Sequence, residues 1–504
     1  MRRYLPLIPL ALLGACTVGP DFETLAAPPP QAGYATQGAG RAALGQGPDR
    51  GWWTAFGSSE LDALVARAIA SNHSLAASRA TLERARERIN AARGRMLPQV
   101  DADARAEYQQ LNLSAFGFDA FSTSGGQSIK NPRFDLYTIG GGVTYDLDLF
   151  GRNRRALEQT RADTEASQRQ TEAAHLVIAG RVVQQVLAIA ALNDRIATER
   201  ALLAEDERNV DLTRKRQQGG VGTLVEVLSA QAQLEDDRGG LPALEQQLVE
   251  ARGMLAILVG LSPAELEPTP FALDRFALPA QVPVALPSAL VHKRPDILEA
   301  EARLHSATAA IGVATAQLYP NVTLGANLAQ SSSVPGDLLS NRYRGFDLFA
   351  GLTAPIFHGG TLKAQKRGAE ADARAAAETY QQTVLEAFGQ VSNLLSAIET
   401  DGRSLATRQE SARIAQRSLR LSRRSFEVGN SGVLQVLDAS RTYQRSQLAL
   451  VDARSRQYLN VARLYVATAG GWLENAATTP SAPPPAGGQR RLTLFGRSDL
   501  SINP

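Results

Sequence analysis

The chain has 504 residues, with 53 Lys and Arg against 50 Asp and Glu, a formal net charge of +3. That balance, with the basic residues scattered and nearly all Arg, leaves no one-signed patch of the kind nucleic-acid binding requires. A single cysteine excludes an intrachain disulfide, and the chain is long enough to bury a core without one.

Residues 1–15 begin with Arg2 and Arg3, continue through an apolar run from Leu5 to Leu13 and end on Gly14 and Ala15. This is the layout of a secretory signal, and the run is too short to cross a membrane as a helix. The one cysteine, Cys16, follows the small pair directly in "LLGACTVGPDF" (12–22). The stretch resembles a bacterial lipobox. The resemblance implies cleavage before Cys16, a covalent lipid on Cys16 and, with Thr17 in place of Asp, delivery to the outer membrane. Several acyl chains, at about 0.8 kcal/mol per buried CH2, make a lasting anchor. Residues 16–60 are then the lipidated N-terminal segment. No later segment offers 18 continuous apolar residues, so no transmembrane helix is expected.

From residue 61 the chain repeats itself. "SLAASRATLERARERINAARGRMLPQVDADA" (74–104) aligns with "DILEAEARLHSATAAIGVATAQLYPNVTLGA" (296–326) at an offset of 222. "GGVGTLVEVLSA" (219–230) aligns with "VGNSGVLQVLDA" (428–439) at an offset of 209. The difference of 13 places an insertion in "SAFGFDAFSTSGGQSIKNP" (114–132), whose Ser and Gly read as a loop. The first repeat covers 61–260 and the second 288–470. The Pro-rich 261–287 links them, and the low-complexity 471–504 forms a tail.

Each repeat has one order of elements. An Ala-rich helix, roughly 61–97 or 288–318, is closed by Pro98 or Pro320. Two strands follow, then a very long helix, a Gly-rich turn and a shorter helix. The strands alternate with period two. Val100, Ala102, Ala104, Ala106 and Tyr108 share one face, and Asp101, Asp103, Arg105 and Glu107 the other. Tyr137, Ile139, Val143, Tyr145, Leu147 and Leu149 repeat the pattern. So do Val322, Leu324, Ala326 and Leu328, and then Phe346, Leu348, Ala350, Leu352 and Ile356. Strands of about ten residues, apolar on one face and polar on the other, suit a tilted membrane barrel. Four strands cannot close one, since about eight is the smallest useful number. An open edge in lipid leaves unpaired backbone groups, so a membrane sheet of this size requires several subunits sharing one barrel.

The long helix of the first repeat carries Val182, Ile189, Ile196, Leu203 and Val210 at seven-residue spacing. In the second, Val391, Ile398, Leu405, Ala412, Leu419 and Phe426 do the same. Sustained heptads predict coiled-coil packing. Residues 155–216, with no Pro and one Gly, would extend about 90 Å as a helix.

These features resemble the outer-membrane factor family, in the lipoprotein branch of the NodT and OprM type. The resemblance rests on "GWWTAFGSSELDALVARAIASNHSL", on "DLFGRNRRA" (148–156) and on "RPDILEAEARLHSATAAIGVATAQLYPNVTL" (294–324). It rests also on "APIFHGG" (354–360), with His358 where Asp or Asn is more usual, and on "GVLQVLDA" (432–439). It implies an α+β membrane protein: a homotrimer forming a twelve-stranded β-barrel, four strands per chain. A long α-helical coiled-coil barrel continues it, with a small mixed equatorial domain around the link. The implied function is the outer-membrane exit channel of a tripartite efflux system. It would passively conduct small molecules from a periplasmic adaptor protein and an inner-membrane RND transporter to the exterior. The alternative is an exit duct for type I protein secretion, which shares the fold.

The resemblance also places a periplasmic gate where the helix pairs turn. Gly220, Gly222, Gly429 and Gly432 would form the adaptor-contacting turns. Asp438 would give an acidic ring, with Leu434 as an apolar constriction and Glu226 just inside. Gln435 stands where the family often has a second acid, so a double acidic ring is not implied. No enzyme is expected. The histidines at 73, 175, 292, 305 and 358 show no metal spacing, and neither a nucleophile elbow nor a phosphate loop occurs. No cofactor is expected beyond the lipid on Cys16.

Overall fold

The computed structural model describes residues 17–24, 34, 42–45, 47–48, 51–112 and 131–468. The signal segment, Cys16, most of the 114–132 insertion and the 471–504 tail lie outside the described residues.

The Ala-rich helix of each repeat is two helices. In the first repeat α1 (Ser59–Ser71) and α2 (His73–Gly94) meet at Asn72. Asn72 is extended, accepts the Leu75 N–H on its side chain and donates to the Leu258 carbonyl. An N-cap of this kind stabilises the new helix start by about 1 kcal/mol. In the second repeat, strand β4 (Val282–Ala285) leads into α5 (Pro287–Val291) and α6 (Pro295–Ala316), and the break falls at Arg294 before Pro295. Proline disfavours helical backbone in the residue before it and fits the first helical position after it.

The strands form one antiparallel sheet in the order β2 (Gln99–Gln110), β3 (Arg133–Asp146), β5 (Asn321–Ser332) and β6 (Arg344–Thr353). Each repeat gives one hairpin, and the hairpins join through β3 and β5. Leu147, Leu149 and Ile356, expected within strands, lie beyond the strand ends. The Asp148 carboxylate accepts the N–H groups of Asn153 at 2.8 Å and Arg154 at 3.0 Å, which turns the chain into a helix. Pro355, which has no N–H for a ladder, precedes Ile356.

The long helices α3 (Arg152–Gln218) and α7 (Thr361–Glu427) each contain 67 residues, about 100 Å of rise. Each is paired by a short turn with a helix of half its length, α4 (Leu224–Leu258) or α8 (Val433–Thr468). The expected heptad residues are the packed ones. Val182, Ile189, Ile196 and Val210 are buried on α3, and Val391, Ile398, Ala412, Leu419 and Phe426 on α7. Leu203 and Leu405 are half-buried. Part of α3 is apolar enough to cross a membrane by composition, but over half of that stretch is buried inside the protein.

The main core surrounds the middle of α3. Trp52 stacks on Tyr465 with ring centroids 5.3 Å apart, beside Phe56, Val186, Leu273, Ile297 and Val391. The 261–287 link is tied to the long helix there: Asn193 donates to the Phe271 carbonyl and Asp194 accepts from the Leu273 N–H. Strand β1 (Ala42–Gly45) pairs in parallel with β4, so the N-terminal segment and the link share a small mixed belt. A second, smaller core joins the ends of all four long helices through Val210, Ala230, Leu234, Leu419, Phe426, Val433 and Val436.

Candidate channel wall and gate

The sheet has one apolar and one polar face, in register across all four strands. Val100 faces Val143, Val143 faces Ala326 and Ala326 faces Leu348. Tyr108, Phe346, Leu348 and Leu352 on this face are each about 70 % exposed or more within one chain. On the other face the Thr138 and Ser331 hydroxyls meet at 3.0 Å, and Asn327 donates to Asp347 at 3.1 Å. An exposed apolar face on a sheet with two unpaired edges, β2 and β6, is the arrangement a shared membrane barrel requires. Alternation alone did not disclose Phe349, which lies on the polar face over Gly325. A Cβ at Gly325 would meet the Phe349 ring.

At the start of each long helix a left-handed glycine, Gly151 or Gly360, turns the chain from sheet to helix. Only the first junction is capped by a side chain, that of Asp148. The residue three before Gly360 is Phe357, 87 % exposed. His358 contributes its backbone carbonyl, which accepts from the Thr361 N–H.

At the far end the turns run 219–223 and 428–432. Gly220 and Gly429 have φ of 76° and 79°, a left-handed conformation that glycine adopts without penalty. Gly222 sits against the backbone of Arg216 and Gln217. Gly432 is not in the left-handed region and has open space around it, so the turn does not demand glycine there. On α8, Leu434, Gln435 and Asp438 share one exposed face, opposite the buried Val433, Val436, Leu437 and Ser440. Glu226 is engaged differently. It accepts the Thr223 N–H at 2.9 Å while Thr223 accepts the Glu226 N–H, a capping box that starts α4.

A polar layer between the helices was not anticipated from the sequence. Asp206 on α3 is 1 % exposed, and the Gln444 amide bridges it to Asp237 on α4. Burial, reinforced by the Asp237 charge, raises the Asp206 pKa to about 7. Burial and the same Asp237 also raise that of Glu199. The signal was available: Asp206 lies three residues past the heptad residue Leu203, on the inward side of the seam. Among the described residues, no group of three His, Cys, Asp or Glu is placed to hold a metal.

A membrane sheet continued by two helices about 100 Å long, each paired with a shorter one, defines an outer-membrane channel. Residues 64–261 and 286–470 match the family described as outer membrane efflux protein. The chain is 32 % identical over 465 residues to the pyoverdine export outer membrane protein OpmQ of Pseudomonas aeruginosa, covering 92 % of this chain and 95 % of that one. It is 30 % identical over 476 residues to the toluene efflux pump outer membrane protein TtgC of Pseudomonas putida, covering 92 % and 94 %. The outer-membrane channel OprN superposes with a TM-score of 0.82 at 27 % identity, covering 91 % of this chain and all of that one. The protein belongs to the outer membrane efflux protein family. Its fold class is the one expected from the sequence, and it acts as an efflux channel in the outer membrane.

Proposed function

We propose that three copies of this chain close one twelve-stranded barrel and one helical tunnel, forming the exit channel of a tripartite pump. The observation that carries the reading is the four-stranded sheet with an apolar exposed face and two open edges. Two copies would give eight strands, a barrel just wide enough for its own side chains to fill. Three give twelve and leave a passage. An acyl anchor on Cys16 would hold the chain to the same membrane. The relatives named as export and efflux-pump components support small-molecule cargo over protein secretion. A periplasmic adaptor would dock on the turns around Gly220, Gly222, Gly429 and Gly432 and link the channel to an inner-membrane RND transporter. Conduction through such a tunnel is passive and needs no catalytic group.

Three Asp438 side chains would form an acidic ring at the tunnel end, narrowed by Leu434 and Gln435, and an acidic ring favours cations. Single-channel recording in planar bilayers tests this. Asp438→Ala is expected to lower the cation preference, and unchanged conductance and selectivity would remove Asp438 from the gate. A cysteine at Gly429, crosslinked in cells, tests the partner. Capture of the adaptor of a proton-driven pump supports the reading. Capture of the adaptor of an ATP-driven protein exporter would replace the cargo and keep the fold.

A further inference from the structure

Gln444 on α8 donates its amide to two carboxylates, at 2.6 Å to Asp206 on α3 and at 3.2 Å to Asp237 on α4. Gln233 on α4 donates at 2.6 Å to the same Asp237 oxygen and accepts from Arg441 on α8. The other Asp206 oxygen is buried with no hydrogen-bond partner. The layer lies twelve residues above the end of α3, about 18 Å from the turn.

The charged groups around it are committed to other partners. On α3, Glu205 pairs with Arg423 of α7 and with Arg208, and Arg195 with Asp452 of α8. On α4, Arg238 pairs with Glu207 and Glu235. On α8, Arg441 is bonded to Gln233. Glu199 adds a further acid. Asp206 is buried and Asp237 half-buried, one amide bridges them, and no cation is bonded to either, so the two carboxylates repel when both are ionised and a single proton relieves that repulsion.

We propose that Asp206 and Asp237 share one proton, and that this protonated pair, with Gln444, latches the first helix pair to α8 and holds the tunnel end together. The latch is independent of Asp438. It occurs once per chain, because the repeat-related positions are Ala415 and Ser446. The raised Asp206 pKa sets the sign. The latch contributes fully below the ordinary carboxylate range, and its contribution is lost as the pH rises through about 7. Above that, the pair carries two charges and pushes α3 and α4 apart.

Infrared spectra of the full-length protein in detergent, recorded from pH 5 to 9, give the direct readout. A protonated-carboxyl band should vanish near neutral pH and be missing from both Asp206→Asn and Asp237→Asn. Hydrogen exchange at residues 204–213 and 436–446, corrected for intrinsic rate, should lose about tenfold protection between pH 6 and 8 in the native protein. Asp206→Asn should abolish that pH dependence, whereas Asp438→Asn should keep it. A spectrum with no band titrating near neutral pH, or the same band in both single variants, would overturn the proposal. If Asp206→Asn does not assemble, Asp237→Asn and the native spectrum still decide.

Discussion

Three residues past Ile196, Leu203 and Val210 the first long helix carries Glu199, Asp206 and Thr213; three past Leu405, Ala412 and Leu419 the second carries Arg408, Ala415 and Ser422. The five heptad residues of the first helix all have counterparts in the second, where Phe426 adds a sixth opposite Gln217, and the two helices have equal length. The seam residues fix how the helices pack, and their neighbours are then free to differ. The two turns show the same contrast. Thr223 and Glu226 correspond to Gly432 and Gln435 at the offset of 209, and only the first pair makes a capping box. The same positions that begin α4 as a fastened helix begin α8 as an unfastened one, next to the face that carries Leu434 and Asp438. Duplication supplied one scaffold, and divergence at a few positions assigned capping and a buried acid to one half and an exposed acidic face to the other.

The two halves differ most in packing energy at the tip core. Phe426 is 1 % exposed, lies 4.1 Å from the Arg216 guanidinium and accepts from it through its carbonyl. Phe426→Ala should cost about 3–5 kcal/mol. Gln217→Ala, at the exposed repeat-related position, should stay within about 0.5 kcal/mol. Thermal melts followed by limited proteolysis at the turns separate the two. On the barrel wall, Leu348→Arg puts a charge on the apolar face and should cost about 2–4 kcal/mol of membrane stability near the midplane. The yield of folded protein in outer-membrane fractions reports it, with Asp347→Arg on the polar face expected to be much milder. Thr223→Ala should remove about 1 kcal/mol from the first turn, seen as faster amide exchange at the start of α4. The smallest effect sharpens the contrast: Gly432→Thr, with Gln435 three residues on, should install a second capping box. A gain of a few tenths of a kcal/mol, read from slower exchange over 433–437, is the expected outcome.

Much of this fold was legible because both of its periods are strong. The two-residue alternation predicted each strand's faces, and the heptads predicted the buried seam of α3 and α7. What escaped was local chemistry superposed on those periods. Asn72 and Arg294 break helices whose Ala-rich flanks read as continuous, because a capping amide and a following proline outweigh propensity. The Asp148 cap ends β3 before Leu147 and Leu149 can extend it. Resemblance, not periodicity, singled out Leu434, Gln435 and Asp438, and the structure shows all three exposed on one side of α8. Gly432, which the resemblance places in a turn, is not in the left-handed region and has open space around it, so its backbone makes no demand for glycine. The sequence does not mark Asp206, because an acid on a long polar helix looks solvated until the partner helices are in place.

Native mass spectrometry of the full-length protein extracted in mild detergent shows whether the open sheet edges close between copies. An assembly of three chains is the expected result. A stable assembly of one or two chains, with four or eight strands and no open passage, would contradict it.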